Sequence, residues 1–519
     1  MSMSMTLPGR FPGGLLLDGH KSLSNQRPIR FAGLPARLIL PLRQRNGELA
    51  NPRVNEGDRV LRGSLIAGGA HSLDPPIHAS SSGRVVAIED HAIPHPSGMS
   101  SRCILIETDG LDECLPSLPE LDKLNCSLEP LLDRIHEAGI VGLGGAVFPT
   151  AAKLLSGEFT LDTLILNGAE CEPYISCDDR LMRERAEEVL QGAQLLRRCL
   201  GCKTTLMAVE ADMRPALEAL KAAQEHSGLD AIRLIQVPVR YPAGGERQLI
   251  QLLTGREVPS GLPPAAIGII CLNVASVAAI YRAATLGKKL DSRIVTITGE
   301  GVQTPQNLEV RLGTPINFLI EQCGGYTDQV QRLTVGGPMM GYAVDSDALP
   351  ITPSVNAILV RRAETHTLTR NPQPCIRCGA CAEVCPASLL PQQLYWHAQA
   401  RQLKQALDHH LSDCIECGCC DAVCPSQIPL VREFQQAKQA AFAEQQARSS
   451  AAHAKMRFEA RQARLLREQQ EREIAARQRK ASLDQGTSSK IQEALERARQ
   501  KRALKTKRPT SENPHEDDH

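Results

Sequence analysis

The chain has 519 residues, of which 42% are hydrophobic and 23% charged, and its formal net charge is +1. At about 100–200 residues per domain it should form several domains, and its composition excludes a collagen-like, wholly disordered or mostly membrane-embedded chain. The charge is uneven, because residues 431–519 carry 20 Lys and Arg against 13 Asp and Glu, which leaves an acidic body and a basic tail.

The first residues, 1–127, are expected to form a structural β module. They lack a basic region followed by an apolar segment, so we expect no secretory signal. Short apolar runs at 36–42, 54–60 and 82–88 alternate with turn residues, which is typical of short strands and hairpins. The runs VNEGDRV and PIHASSSGRV resemble the barrel-sandwich fold of biotinyl and lipoyl domains. No Lys stands between Val54 and Val86, where lipoyl carriers have their modified residue, which favours a structural role over a swinging arm.

Residues 128–287 predict an α/β domain with a largely parallel sheet. Strand-like runs at 163–166, 205–209 and 232–237 alternate with helical patterns at 181–198 and 213–226, as in βαβ units. The uncharged stretch from Val258 to Tyr281 contains three prolines, and we expect a buried strand, turn and helix there rather than a membrane span. Residues 288–350 predict a small β-rich unit with a short helix at 315–323.

Nine of the 18 cysteines lie between Cys375 and Cys424. The run C-x₂-C-x₂-C-x₃-C-P at 375–386 recurs 39 residues later, at 414–425. It is the pattern of two-cluster ferredoxins, in which the fourth Cys of each run ligates the other cluster. One [4Fe–4S] cluster is thus predicted on Cys375, Cys378, Cys381 and Cys424, and a second on Cys414, Cys417, Cys420 and Cys385. We expect each fourth ligand on a short helix that Pro386 or Pro425 breaks, and Cys419 as a bystander. Zinc, which also binds Cys-x₂-Cys, is the alternative metal.

A glycine-rich stretch, GIVGLGGAVFPTAAK, starts at Gly139 and predicts a turn that leads into a helix. Such a loop offers backbone N–H groups to an anion, and Lys153 adds a positive charge. The alternative is a tight turn packed on the sheet. The motifs NGAECEP, YPAGGERQL and NVAS follow at 167–173, 241–249 and 273–276. The first ends a strand, where α/β domains bind ligands.

These motifs resemble the flavin- and NADH-binding subunit of respiratory complex I and its diaphorase relatives. With the N-terminal module and the ferredoxin repeat, residues 8–435 resemble the C subunit of the Rnf/Rsx ion-translocating oxidoreductase complex. The predicted fold class is therefore multidomain α/β. It comprises a barrel-sandwich module (1–127), an FMN- and NADH-binding α/β domain (128–287), a β-grasp-like unit (288–350), a two-cluster ferredoxin-type domain (365–430) and a helical or disordered basic tail (431–519).

The resemblance implies which residues bind the cofactors. FMN would be held by Gly142, Gly144, Gly145 and Lys153, with Asn167, Glu170 and Asn273 around it. Glu172 and Glu246 would lie near NAD(H), the substrate, with Phe148 able to stack on it. This chain departs from the complex I pattern at Gly245, where that pattern has an acid, and at Ala169, where it has an Asp. From the residues alone, Glu170 and Glu172 could instead be a solvated strand end.

The resemblance also implies a function. NADH donates two electrons as a hydride, and an iron–sulfur cluster accepts one electron at a time. Flavin can exchange electrons with both kinds of carrier. The chain would be an oxidoreductase subunit on the cytoplasmic face of the cell inner membrane, in a complex that couples transfer between NAD(H) and a ferredoxin-like carrier to ion translocation. Its partners would be integral-membrane and iron–sulfur subunits. The alternatives are a soluble diaphorase subunit of a hydrogenase or dehydrogenase, and a non-catalytic electron wire.

The basic tail is predicted to be a solvated extension. Binding to anionic lipid or to a partner protein is the alternative. Its three phenylalanines are its only Phe, Tyr or Trp residues, and so few aromatic rings for stacking on bases disfavour nucleic acid as a partner.

Overall fold

The computed structural model describes residues 7–43, 49–68, 74–122, 126–155, 157, 159–328, 330–362 and 372–505. Residues 1–438 form one compact unit and residues 439–519 a second.

The N-terminal module consists of two antiparallel sheets. Its strands are β1 (Arg30–Phe31), β2 (Arg37–Pro41), β3 (Asn51–Pro52), β4 (Arg59–Val60), β5 (Leu65–Gly68), β6 (Ile77–His78), β7 (Gly83–Ala92) and β8 (Ser100–Thr108). One sheet has the order β2-β8-β7-β4 and the other β3-β5-β6, while β1 leaves to join a later sheet. Apolar side chains from both sheets, such as Leu38, Ile66 and Ile104, are fully buried between them, as expected of a barrel-sandwich.

A parallel α/β domain follows. Its elements are α1 (Leu128–Glu137), α2 (Thr150–Leu154), β9 (Thr163–Gly168), α3 (Cys177–Glu184), α4 (Ala186–Leu200), β10 (Thr204–Glu210), α5 (Arg214–Ser227), β11 (Ile232–Val237), α6 (Glu246–Thr254), β12 (Ile269–Asn273) and α7 (Val274–Leu286). The strand order is β11-β10-β9-β12, and every pairing is parallel. The order reverses at β9, so the crevice beyond the carboxyl ends of β9 and β12 is where such sheets bind ligands.

The expected helix at 181–198 is wrong in one respect, because the structure has two helices there. Arg185 separates α3 from α4 with non-helical backbone angles, φ −134° and ψ 35°. Its guanidinium forms an ion pair with Glu309, a contact with a distant strand that helical periodicity does not reveal.

The small β unit is larger than its predicted bounds of 288–350. Its elements are β13 (Ser292–Thr298), β14 (Gln306–Arg311), α8 (Ile316–Gln322), β15 (Val330–Val335), β16 (Tyr342–Val344) and β17 (Ala357–Arg362). They form a six-stranded sheet in the order β1-β14-β13-β17-β15-β16. Strand β17 thus lies inside the sheet although it follows residue 350, and β1 comes from the N-terminal module.

The cysteine-rich segment contains α9 (Ala380–Glu383), α10 (Pro391–Gln399), α11 (Leu403–Asp408) and α12 (Cys419–Ala422). Its two motifs share an unusual backbone: φ is +59° at Arg377 and +57° at Glu416, and +82° at Gly379 and +78° at Gly418. The expectation that each fourth Cys sits on a helix broken by proline is wrong. Helices α9 and α12 carry the third Cys of each run and end before the fourth.

The tail is helical from Leu430 to Lys505, as α13. Beyond residue 438 almost all of its side chains are exposed, and pairs such as Arg448–Glu444 and Arg497–Glu493 connect successive turns. This agrees with the predicted solvated helix, while residues 506–519 lie outside the described residues.

Candidate functional site

The glycine-rich loop closes on itself and leaves a row of backbone N–H groups. The Gly142 N–H donates to the Phe148 carbonyl at 2.9 Å, and the Val147 N–H donates to the Gly142 carbonyl at 3.2 Å. Between them, residues 144–146 are exposed, and within the described chain their N–H groups make no backbone hydrogen bond. Gly145 has φ +103°, and a Cβ added there would have nothing within 4 Å. Such unpaired N–H groups in a turn suit a phosphate.

Side chains beside this loop add to the phosphate-binding character. Thr150, the first residue of α2, is 1% exposed, and its hydroxyl has no hydrogen-bond partner in the described part of the chain. The Lys153 Nζ lies 2.6 Å from the Glu246 Oε1, so a predicted flavin ligand and a predicted nucleotide ligand form an ion pair. Phe148 is 37% exposed at the loop. The donors fit FMN, and Thr150 is one that sequence reasoning missed.

Asn273 connects the loop to the start of α7. Its Oδ1 accepts from the Ala275 N–H at 2.9 Å, which caps α7, and its Nδ2 donates to the Asp178 Oδ2 at 2.6 Å. A Cβ on Gly144 would lie 3.2 Å from the Asn273 Cβ. The structure therefore brings two predicted flavin ligands, Gly144 and Asn273, into contact.

Asn167 lies near the end of β9 and fixes a neighbouring turn. Its Nδ2 donates to the Gly244 carbonyl at 2.8 Å, and its Oδ1 accepts from the Ala169 N–H at 3.1 Å. The NGAECEP and YPAGGERQL motifs are thus adjacent in space. The amide oxygen and the amide nitrogen of Asn167 each bond to the protein, so this side chain fixes the wall of the crevice.

Glu170 is buried and belongs to an internal polar network. Its carboxylate accepts from the backbone N–H groups of Asp178 and Asp179 at 3.0 and 3.2 Å, at the start of α3. Lys21, from the N-terminal segment, lies 3.9 Å from it. Burial, opposed by Lys21, raises the pKa of Glu170. The alternative of a solvated strand end is therefore wrong for Glu170. Nothing in the local sequence indicates Lys21, which is 149 residues away.

Glu172 contacts the small β unit. Its Oε1 accepts from the Met339 N–H at 2.7 Å and the Met340 N–H at 3.1 Å. Burial raises the pKa of Glu172, and these hydrogen bonds oppose that rise. Glu172 therefore holds the turn at 337–340 against the α/β domain, and it too is no solvated strand end.

The first predicted set of cluster ligands lines one small cavity. The cavity is bordered by four cysteines, Cys375, Cys378, Cys381 and Cys424, and by apolar residues such as Ile428 and Leu430. Cys424 comes from the second sequence motif and the other three come from the first. Cys378 is exposed, so this site reaches the protein surface. Four convergent thiols in an apolar cavity fit an iron–sulfur cluster.

The second predicted set is more deeply placed. Cys385, Cys417 and Cys420 are 7–8% exposed. The pKa of the Cys420 thiol is raised by burial, by Asp421 and by three neighbouring cysteines, Cys414, Cys417 and Cys385. The set is therefore also convergent, and it again includes the fourth Cys of the other motif. Burial raises the pKa of Cys414 to about 11 and so disfavours its thiolate form. Coordination to iron would offset this, because the metal binds the thiolate.

The second set lies against the α/β domain through Tyr241. Tyr241 is 3% exposed, and its hydroxyl donates to the Cys417 carbonyl at 2.5 Å. Cys419 is fully buried and packs in the same apolar group. Sequence reasoning missed Tyr241, although it opens the YPAGGERQL motif.

Four family models match the chain. They are the RnfC barrel sandwich hybrid domain at residues 9–111, the Nuo51 FMN-binding domain at 135–282, the SLBB domain at 294–343 and the 4Fe-4S dicluster domain at 374–428. The predicted fold class and the prediction of FMN and iron–sulfur clusters as cofactors are confirmed by these matches.

Solved structures of an NAD⁺-reducing [NiFe]-hydrogenase also match. The air-oxidized state has a TM-score of 0.42 and 21% identity over 54% of each chain. The H₂-reduced state has a TM-score of 0.44 and 20% identity over 60% of this chain and 63% of that one.

Relatives with high identity share one name, that of the C subunit of the ion-translocating oxidoreductase complex. The protein of Pectobacterium atrosepticum is 44% identical over 95% of this chain and 70% of its own length. The Serratia proteamaculans protein is 42% identical over 95% and 70%, and a Yersinia pestis protein is 43% identical over 94% and 78%. Among the described residues, no helix has both the length and the apolar character to cross a bilayer. The identity and coverage establish that the chain belongs to the family of C subunits of ion-translocating oxidoreductase complexes.

Proposed function

We propose that this chain passes electrons between NAD(H) and a one-electron, ferredoxin-like carrier through FMN and two [4Fe–4S] clusters. The observation that carries the proposal is the position of the two thiol sets. The set of Cys385, Cys414, Cys417 and Cys420 touches the flavin domain through Tyr241, and the other set includes the exposed Cys378. The order FMN, second set, first set then leads from the interior to the surface.

The glycine-rich loop and its neighbours bind the FMN phosphate in this proposal. The N–H groups of residues 144–146, the Thr150 hydroxyl and the Lys153 ammonium supply donors and charge on one side of the crevice. Bound FMN supplies the exchange between two-electron and one-electron carriers. Lys153 now pairs with Glu246, and binding of the phosphate to Lys153 would weaken that ion pair. Glu246 would then be able to contact a bound nucleotide.

The first cluster is the point of exchange with a partner. Ile376 is 67% exposed beside the exposed Cys378, and an apolar side chain next to an accessible cluster suits close protein contact. We propose that integral-membrane and iron–sulfur subunits of the same complex dock at the cytoplasmic face of the inner membrane, and that those subunits carry the ions. The soluble diaphorase alternative is less well supported, because residues 9–111 match the RnfC barrel sandwich model.

Anaerobic purification with iron, sulfide and flavin quantitation tests this proposal. We expect about eight irons and one FMN per chain, together with NADH-dependent reduction of a one-electron dye. Zinc in place of iron, or a protein that incorporates no flavin on reconstitution, would refute it.

Four single substitutions test which thiols share a cluster. If the ligand sets are as proposed, Cys385→Ala and Cys420→Ala lose the same electron paramagnetic resonance signal, and Cys381→Ala and Cys424→Ala lose the other. Each variant should lose about four irons. If Cys385→Ala instead matched Cys381→Ala, the exchange of fourth ligands between the motifs would be wrong.

A further inference from the structure

Tyr241 lies where the α/β domain, the N-terminal segment around Leu15 and the second thiol set meet. Its backbone exchanges two hydrogen bonds of 2.8 Å with Leu15, and its ring packs among Leu15, Cys171 and Met339. The hydroxyl donates to the carbonyl of Cys417, a proposed cluster ligand. The ring and its hydroxyl are therefore held in one place by three different segments of the chain.

Glu172 acts on the same loop from a second direction. The turn at 337–340, which Glu172 holds through the Met339 and Met340 N–H groups, packs directly on Gly418. A Cβ on Gly418 would lie 2.7 Å from the Met339 carbonyl oxygen. Gly418 stands between the proposed ligands Cys417 and Cys420, so this turn covers the cluster-binding loop.

We infer that Tyr241 and Glu172 are positioning residues that hold the second cluster against the flavin domain and set its reduction potential. Tyr241 acts through the Cys417 carbonyl, and Glu172 acts through the 337–340 turn and through its own charge. The inference rests on the proposed function, because it takes the second thiol set to hold a cluster.

The two side chains should shift the potential in opposite directions. A hydrogen bond donated to the backbone carbonyl of a ligand residue places the positive end of an O–H dipole at the cluster-binding loop, which favours the reduced cluster with its one extra negative charge. Removing the Tyr241 hydroxyl should therefore make the second cluster harder to reduce. Above its raised pKa the Glu172 carboxylate is ionised and repels that added charge, so at such a pH Glu172→Gln should make the cluster easier to reduce. General loosening of the packing would not produce opposite signs.

Redox titration of the cluster- and FMN-loaded protein, followed by electron paramagnetic resonance, tests this. Tyr241→Phe keeps the ring and removes only the hydroxyl, and we expect up to a tenfold loss in the equilibrium constant for reducing the second cluster, which is about 59 mV for a one-electron couple. Glu172→Gln should give a shift of opposite sign. The matched control is Tyr326→Phe, which removes a hydroxyl bonded to Asp347 in the small β unit and should shift neither cluster.

Three outcomes would overturn the inference: unchanged potentials with both clusters present, shifts of the same sign in both variants, or equal shifts in the control. If Tyr241→Phe failed to fold, the sign of the Glu172→Gln shift would still decide the matter. Absence of clusters or FMN from the unmodified protein would instead contradict the proposed function, so the two failures are distinguishable.

Discussion

Glu210 ends strand β10 with a carboxyl group that is 0% exposed, and neither oxygen has a hydrogen-bond partner in the described part of the chain. Burial raises its pKa from 4.5 to about 7, against the attraction of Lys21 and with help from Asp212 and Glu170. A buried carboxylate without hydrogen-bond partners is costly, so this residue should be a source of instability at high pH.

The size of the effect follows from linkage. Because the pKa of Glu210 is raised in the folded state, the contribution of this residue to the free energy of unfolding is fully present below about pH 4.5. That contribution is lost as the pH rises through about 7. At pH 8 the ionised group costs about 3 kcal/mol, and at pH 5 less than about 1 kcal/mol. Glutamine has nearly the shape of the protonated acid and cannot ionise, so Glu210→Gln should remove this cost.

Thermal unfolding of the cofactor-loaded protein at pH 5 and pH 8 provides the assay. For a compact unit of this size we expect a transition midpoint about 3 °C higher for Glu210→Gln at pH 8, with the difference nearly gone at pH 5. Glu309→Gln is the matched control. Burial acts to raise the pKa of Glu309, but Arg185 and Arg282 hold it below its usual value, so this variant should be less stable at pH 8. An advantage of Glu210→Gln that is absent at pH 8, or larger at pH 5, would refute the reasoning.

Three further predictions concern the cofactors and the tail. Gly144→Ala should weaken FMN binding about tenfold, because the new methyl group would displace Asn273. Lys153→Ala should weaken FMN binding by about tenfold or more, because the phosphate loses a positive partner. Flavin fluorescence titration measures both affinities, and an unchanged affinity would contradict the loop assignment. Cys419→Ser should keep both clusters, since Cys419 is outside the ligand spacing, so iron analysis that showed a loss would make it a ligand. A chain ending at residue 440 should keep its full iron and flavin, and its cosedimentation with anionic vesicles should fall if the basic tail binds lipid, whereas equal cosedimentation would exclude that role.

Local spacing in the sequence was sufficient for much of the fold. The parallel strands at 163–168, 204–210 and 232–237 are visible as apolar runs between helical patterns, since strand and helix periods are properties of short segments. The break at Arg185 was not visible in the helical pattern, and Arg185 there pairs with Glu309 on a distant strand, a contact that local spacing does not reveal. The sequence also did not reveal that β1 and β17 belong to one sheet, because strands far apart in the chain pair there.

For the candidate site, the ligand types could be predicted from local patterns: the spacing of the cysteines and the glycine-rich loop are each required by specific chemistry. Which side chains contact each other across the domains depends on the three-dimensional packing and could not be predicted. Lys21 against Glu170, Glu172 against the Met339 turn, and Tyr241 against Cys417 are each separated by more than 140 residues. Such contacts depend on how whole domains pack, and packing is set by the summed burial of many side chains rather than by any motif.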